Sequence, residues 1–465
     1  MTRKMDRRTF LQFTSTGVAM ALAAGCVPSI QTARNVNTNV SAPAVANRGA
    51  QGRVASPFEP DVEIVLRAAP GSIEIRPGAP TRVWQITGEL VKGDESALQP
   101  VPGSYLGPTI RVKKGQQVRI HFINELAEPS ILHWHGLHLP AEMDGHPRYV
   151  VGTGESYVYD FEISNRAGTY WYHPHPHGRT GPQVYAGMAG LFLISDDEEA
   201  ATGLPEGAYD IPLVIQDRTL NDENQLVYGS GGMMDQMMGF LGREIWVNGR
   251  PDFILPVEQR AYRLRLLNGS NARIYKLAWD DSTPLTVIGT DGGLLETPVQ
   301  RPYVMLAPGE RVELWVDFGD SSLGSEAVLR SLPFTASGTM GGGMMGGMGG
   351  MMGSSQSGSD FPILSVRVEW EAQENPALPQ RLSTIEQMLV SDASNKADPR
   401  RFVLRMGHGT GTLNRRTFGM TDVASDEIVQ LGSIEIWEFV NQAGGMMGGM
   451  MGGMALPHPM HIHGK

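Results

Sequence analysis

Val118-Arg119-Ile120-His121-Phe122-Ile123-Asn124 is the stretch from which the fold is read, because the chain repeats it. Tyr262-Arg263-Leu264-Arg265-Leu266-Leu267-Asn268 and Glu435-Ile436-Trp437-Glu438-Phe439-Val440-Asn441 align with it on the terminal asparagine. Each alternates apolar side chains at period two over its last half, the pattern of a strand with one buried face. A second element follows two of the copies: Gly154-Glu155 leading to Tyr157-Val158-Tyr159-Asp160-Phe161, and Gly309-Glu310 leading to Leu314-Trp315-Val316-Asp317-Phe318. Self-similarity of this kind predicts three related β-sandwiches. The third has no counterpart of the second element before Lys465 and is expected to be incomplete.

The composition agrees. At 465 residues the chain exceeds what one core usually serves. Glycine (57) and proline (31) are plentiful and charged residues make up only 19%, so turns and strands should dominate an all-β protein. A net charge of −11 excludes a nucleic-acid partner, which needs a basic footprint. Boundaries are expected near the acidic residues 195–199 and the proline-containing residues 371–379. The units are then 57–200, 201–374 and 375–465, and a monomer is expected.

The N-terminus is an address. Lys4, Arg7 and Arg8 precede an apolar stretch, residues 18–24, that is too short for a bilayer span of about 20 residues. Arg7-Arg8-Thr9-Phe10-Leu11 resembles a twin-arginine export signal, and Leu22-Ala23-Ala24-Gly25-Cys26 resembles a bacterial lipoprotein box. Residues 1–26 are read as the signal, Cys26 as the lipidated anchor and the only membrane attachment, and 27–56 as a tether. The expected location is the periplasm or cell envelope. An ordinary cleavage site with an idle cysteine is the alternative. Cys26 is the only cysteine, which leaves the folded part without a disulfide or a thiolate ligand.

Most of the 12 histidines fall into three groups: His133-Trp134-His135, His173-Pro174-His175 and His458-Pro459-Met460-His461-Ile462-His463. Residues i and i+2 of a strand share a face, so each His-x-His pair can present two imidazoles together. Neutral imidazole suits copper, zinc, iron or nickel, and by itself selects none of them. Asn268 is followed by Gly269-Ser270-Asn271-Ala272 with no histidine, so the metal is expected between the first and third repeats, with the second as a spacer. His121, His138, His146, His177 and His408 are given no ligand role.

At these residues the sequence resembles the multicopper oxidases, from about residue 57 onward. The resemblance runs through His133-Trp134-His135-Gly136-Leu137-His138, Trp171-Tyr172-His173-Pro174-His175 and His458-Pro459-Met460-His461-Ile462-His463-Gly464. It implies three cupredoxin-like Greek-key domains and copper as cofactor. His133 and His461 match type 2 copper ligands, His135, His173, His175 and His463 match type 3 ligands, and His458 matches one imidazole of the type 1 copper. Asp144 matches an acidic residue that supplies protons, a general-acid role, although an ordinary turn aspartate before Gly145 fits too. The implied reaction takes single electrons from a cuprous ion or small reductant such as a phenol and passes four to O2. A type 1 site also needs a thiolate. Its His-Cys-His strand would lie beyond Lys465, so the chain is expected to be a piece of a complete oxidase and inactive alone.

Methionine occurs 25 times, mostly in glycine-rich patches at 233–238, 340–352 and 446–460, with insertions placed at 338–353 and 444–454. Thioethers are soft ligands that favour Cu(I), and Asp360 is a further candidate ligand. A glycine/methionine loop without ligand duty is the alternative. A copper-buffering lipoprotein without catalysis is the rival to an oxidase, and a cupredoxin scaffold without metals is a third reading.

Overall fold

The structure, a computed structural model, describes residues 59–229, 235, 239–334, 358–407, 410–442 and 457–464. The signal, the tether, His408, the methionines at 233–238 and both methionine-rich insertions lie outside the described residues. No helix among the described residues is long and apolar enough to cross a membrane.

The all-β expectation holds, and the sheets fall into three groups along the chain. The first contains β1 (Val62–Ile73), β2 (Thr81–Lys92), β3 (Leu98–Gln99), β4 (Thr109–Lys113), β5 (Gln117–Asn124), β6 (Leu132–His135), β7 (Ser156–Glu162), β8 (Gly168–Pro174) and β9 (Gly190–Ser195). Two short helices, α1 (Thr180–Ala186) and α2 (Asp197–Ala200), flank β9. The strands form two sheets, ordered β2-β1-β5-β7 and β3-β4-β9-β8-β6, around one core that includes Ile64, Phe122, Trp134, Tyr159, Tyr172 and Phe192.

The second group contains β10 (Asp210–Arg218), β11 (Glu244–Val247), β12 (Arg250–Pro251), β13 (Ile254–Glu258), β14 (Ala261–Asn268), β15 (Tyr275–Trp279), β16 (Leu285–Thr290), β17 (Gly293–Arg301), β18 (Val304–Leu306), β19 (Arg311–Asp317), β20 (Glu326–Ser331) and β21 (Phe361–Trp370). They form sheets β12-β11-β10-β14-β19-β16-β17 and β13-β21-β20-β15-β18. The third group, among the described residues, is β22 (Arg400–Gly407), β23 (Thr410–Leu413) and β24 (Trp437–Gln442), ordered β23-β22-β24.

The sequence repeat is a structural repeat. β5, β14 and β24 carry the three copies, and each pairs in parallel with the first long strand of its group, β1, β10 and β22. The second element also recurs, since β7 and β19 pair antiparallel with β5 and β14. The repeated asparagine makes a buried corner. Asn124 donates to Glu128 O and Val151 O and accepts from Leu126 N, while Asn268 donates to Arg273 O and Leu306 O and accepts from Ser270 N. The glycine of the second element closes it: Gly154 N donates to Asn124 O, and Gly309 N to Asn268 O. Asn268→Ala removes three hydrogen bonds at a site with no access to water. The expected cost is about 2–4 kcal/mol, as orphaned buried groups cost about 1–3 kcal/mol each and partly relax. Urea denaturation measures it, and a loss below 1 kcal/mol would leave the corner without its assigned weight.

β5 alternates buried and half-buried positions as its sequence predicts. β14 differs, being buried at every position despite Arg263 and Arg265. The second face of β14 is covered by an ion network. Glu313 on β19 accepts from Arg263 Nε at 2.8 Å and Arg265 Nη1 at 3.1 Å. Asp210 accepts from Arg265 Nε at 2.6 Å, and Glu199 pairs with Arg263 at 2.6 Å. Thr169 of β8 donates to Glu313 at 2.7 Å, which ties the network to the first group. Residues 195–199, read as a linker, thus hold the end of β9 and most of α2, and place Glu199 inside this network.

Candidate metal centre

β6 and β8 are antiparallel neighbours, with His133 directly opposite His173 and His135 opposite Trp171. The local sequence accounts for their orientation. Trp134, between the two histidines of β6, is fully buried against Tyr159, Tyr172 and Phe192, so His133 and His135 are left on the other face. Tyr170 and Tyr172 do the same for β8, and Tyr172 Oη donates to Pro108 O.

Not every pair sits on a strand. His175 lies just beyond β8, held beside β6 by its backbone N donating to Ile131 O at 2.8 Å. His461 and His463 belong to a segment, 457–464, with no assigned strand. They nevertheless reach the same place. His461 stacks on His135 at 3.7 Å between ring centroids, and His463 on His133 at 3.9 Å. Six of the seven predicted histidines therefore converge. His458 does not join them, and instead borders a cleft of about 640 Å³ with His146, Arg405, Phe418 and Met420. Asp360 pairs with Arg330 at 2.8 Å on the surface.

His133 is the hub. It belongs to both groups of possible ligands, His133/His461/His463 and His133/His135/His173, whose donor atoms each lie within 4.8 Å of one another. Its Nδ1 contacts Asp144 O at 2.7 Å, which directs Nε2 at His461 Nε2, 3.1 Å away. His173 Nδ1 contacts Pro174 O at 2.9 Å and His463 Nδ1 contacts Asp144 Oδ2 at 2.9 Å, so their Nε2 atoms are also the free ones. His135 turns Nδ1 toward His173 Nε2 at 3.4 Å. Asp144 is placed by Gly145, whose φ is +75°. A Cβ at position 145 would stand 2.1 Å from Leu132 O, so only glycine lets the turn lie against β6.

Burial sets the protonation states. It lowers the basicity of His133, and of His135 and His173 more strongly, with neighbouring imidazoles and, for His135, the Arg311 guanidinium adding to it. His175 and His461 are brought down to about 3 by burial and then by the surrounding rings. Burial would raise the Asp144 carboxyl, but hydrogen bonds from His133 and His463 outweigh it and hold it at about 2. His133, His135, His173, His175 and His461 are thereby favoured as neutral imidazoles, the state in which histidine binds metal.

Multicopper oxidase mco of Staphylococcus haemolyticus is 31% identical to this chain over 379 residues, 81% of this chain and 71% of that protein. The chain belongs to the multicopper oxidase family. A multicopper oxidase family model matches residues 83–199, the segment that carries β6 and β8. The crystal structure of McoA multicopper oxidase from Aquifex aeolicus superposes with a TM-score of 0.68 at 32% identity, over 86% of this chain and 87% of that one. Cell division protein FtsP of Xenorhabdus nematophila is 38% identical over 236 residues, 50% of this chain and 48% of that protein. The chain spans about half the length of several curated relatives it matches.

Copper, which the family implies, fits the donor set. Imidazole–metal bonds of about 2.0–2.1 Å put two nitrogens sharing one ion at roughly 100–120° about 3.1–3.6 Å apart. The separations of 3.1 Å for His133–His461 and 3.4 Å for His135–His173 fall in that interval. The Nδ1 atoms of His133, His173 and His463 are held by a carbonyl or carboxylate, as metal-ligating histidines usually are.

Two features escaped the sequence reading. His146 and His177 both approach the Phe418 ring, at 6.4 and 5.1 Å, which brings the edge of the histidine cluster next to the third group. The second repeat also reaches His135 through Gly309. Neither contact leaves a spacing signal in the chain.

Proposed function

We propose that the protein is a copper-dependent oxidase that couples one-electron oxidation of cuprous ion, or of a small reductant such as a phenol, to four-electron reduction of O2 to water. The observation that carries this reading is His133, shared between two ligand groups and fixed by Asp144 so that its free nitrogen faces inward. In this reading His133 and His461 hold the type 2 copper, His135, His173, His175 and His463 hold the type 3 pair, and His458 belongs to the electron-entry copper. Copper in these positions supplies the one-electron centres and the oxygen-binding cluster that the reaction requires. The chain's own groups orient and protect it. Asp144 holds Nδ1 of His133 with its backbone O and Nδ1 of His463 with Oδ2, and in this reading its carboxylate, ionised at rest, would take up a proton before passing it on as the general acid. The proposed units are 57–200, 201–374 and 375–465, in a monomer exported by a twin-arginine signal and anchored through Cys26.

The test is oxygen uptake, with Cu(I) as reductant, by the copper-loaded oxidase complete with a thiolate at its electron-entry copper; this chain, whose one cysteine is Cys26, is expected to show none by itself. The expected stoichiometry is four Cu(I) per O2, with no peroxide released and a slower rate with a bulky phenol. Uptake no faster than that of free copper would reject the oxidase reading. It would favour the second, in which the same histidines buffer copper without turnover. That reading draws support from the similarity to a protein named for cell division rather than oxidation.

A further inference from the structure

The second repeat contributes no histidine, but it touches the metal centre. Residues 307–311 form a turn closed by Glu310 N donating to Ala307 O and by Ala307 N donating to Glu310 Oε2 at 2.6 Å. Gly309, at φ +83°, lies against the Cε1–Nε2 edge of His135. A Cβ there would stand 3.2 Å from Cε1, 3.6 Å from Nε2 and 3.7 Å from Trp171 Cζ2.

Arg311 fastens this turn to the first repeat. Its guanidinium donates from Nη1 to Gly309 O at 3.0 Å, from Nε to Thr169 O at 2.9 Å and from Nη2 to Asp291 O at 3.0 Å. Its side chain is only 3% exposed. Thr169 lies on β8, the strand that carries Trp171 and His173.

His135 needs such a brace more than His133, His173 and His463 do. His133, His173 and His463 are oriented by hydrogen bonds at Nδ1. His135 points Nδ1 inward, and among the described residues the one hydrogen-bonding contact of its ring is with His173. Its orientation therefore rests on packing: His461 on its face at 3.7 Å, Trp171 at 5.0 Å and Gly309 against its edge. Rotating the ring by half a turn would put carbon, not nitrogen, toward His173.

We propose that the turn at residues 307–311 is a positioning element of the metal centre, in which Gly309, held by Arg311, fixes Nδ1 of His135 as its metal-binding atom. The inference rests on the reading of His135 as a copper ligand. It makes the second repeat part of the centre rather than a spacer.

Gly309→Ala tests it, with Gly154→Ala as the matched control. Gly154 occupies the equivalent corner of the first repeat at φ +79° with nothing within 4 Å, so it carries the same backbone strain without a ring beside it. The proteins are labelled with ¹⁵N-histidine and titrated with Cu(I) against a competing chelator. In the wild type, Nδ1 of His135 should show the metal-bound shift. In Gly309→Ala that shift should vanish and Cu(I) should bind the His135–His173 pair at least ~tenfold more weakly, the scale on which outer contacts tune metal sites. The His133–His461 pair and Gly154→Ala should behave as wild type. Arg311→Gln, which releases Gly309 O while adding nothing beside His135, should move in the same direction and serves if Gly309→Ala does not fold. Wild-type ligation through Nε2, or variants that keep Nδ1 ligation at wild-type affinity, would overturn the inference. Wild-type protein that takes Cu(I) at none of these rings would overturn the site reading itself, and this inference with it.

Discussion

Replacing His133 with alanine should strip copper from both ligand groups at once. Every other ligand histidine described here belongs to one group or to neither, whereas His133 supplies a donor to each. Its ring lies within 5.7 Å, centroid to centroid, of those of His135, His173, His175, His461 and His463. Losing an outer-shell partner typically weakens a metal site about 10–100-fold, so losing the shared ligand should cost more than about 100-fold in affinity. Equilibrium dialysis against Cu(I) with a competing chelator gives the number. His121→Ala, a half-buried histidine paired with Glu63 away from the cluster, should bind as wild type does. A His133→Ala protein that stays folded and retains wild-type copper content would remove His133 from the centre.

Glu313→Ala should be the most destabilising change outside that cluster. Glu313 is fully buried and receives Thr169, Arg263 and Arg265. The surrounding arginines and Thr169 outweigh its burial and hold its carboxyl below the usual range, so it is charged in the fold. Deleting it leaves Arg263 and Arg265 in the interior with Glu199 and Asp210 as their remaining counter-ions. Breaking a buried pair typically costs about 3–5 kcal/mol, because a charge is stranded away from water. Arg367→Ala, in an exposed pair with Glu326, should cost less than about 1 kcal/mol. Urea denaturation of the two variants side by side decides the matter. Equal losses would show that the network is held by something other than its charges.

The repeat that sets the fold was legible because its marks are local. Seven residues suffice to show a strand ending in asparagine, and the corner those asparagines build is the same in both repeats where its bonds are seen. The histidine pairs were legible for the same reason. What lay hidden depends on residues distant along the chain. Arg263 and Arg265 alternate with leucines and read as a solvent face, but Glu199, Asp210 and Glu313 arrive from other elements to bury them. Period-two spacing grouped His461 with His463, and their ring centroids lie 4.8 Å apart although no strand holds them. The contact of Gly309 with His135 could not be read at all, since a glycine marks only the backbone shape it permits.

The parallel strand pairs bear on how the chain folds. Val62 must meet Val118, Asp210 must meet Arg263, and Arg400 must meet Trp437 before any of the three pairs yields a contact. These spans differ by less than a factor of two, and doubling a loop adds only about 0.6 kcal/mol to its closure. The three closures are therefore nearly equal entropic barriers. Each repeat is a unit of similar intrinsic folding speed, slow by the standard of helical proteins because the parallel pairing it must form is long-range. Six of the imidazoles come together only after the first and third of these units have formed and met.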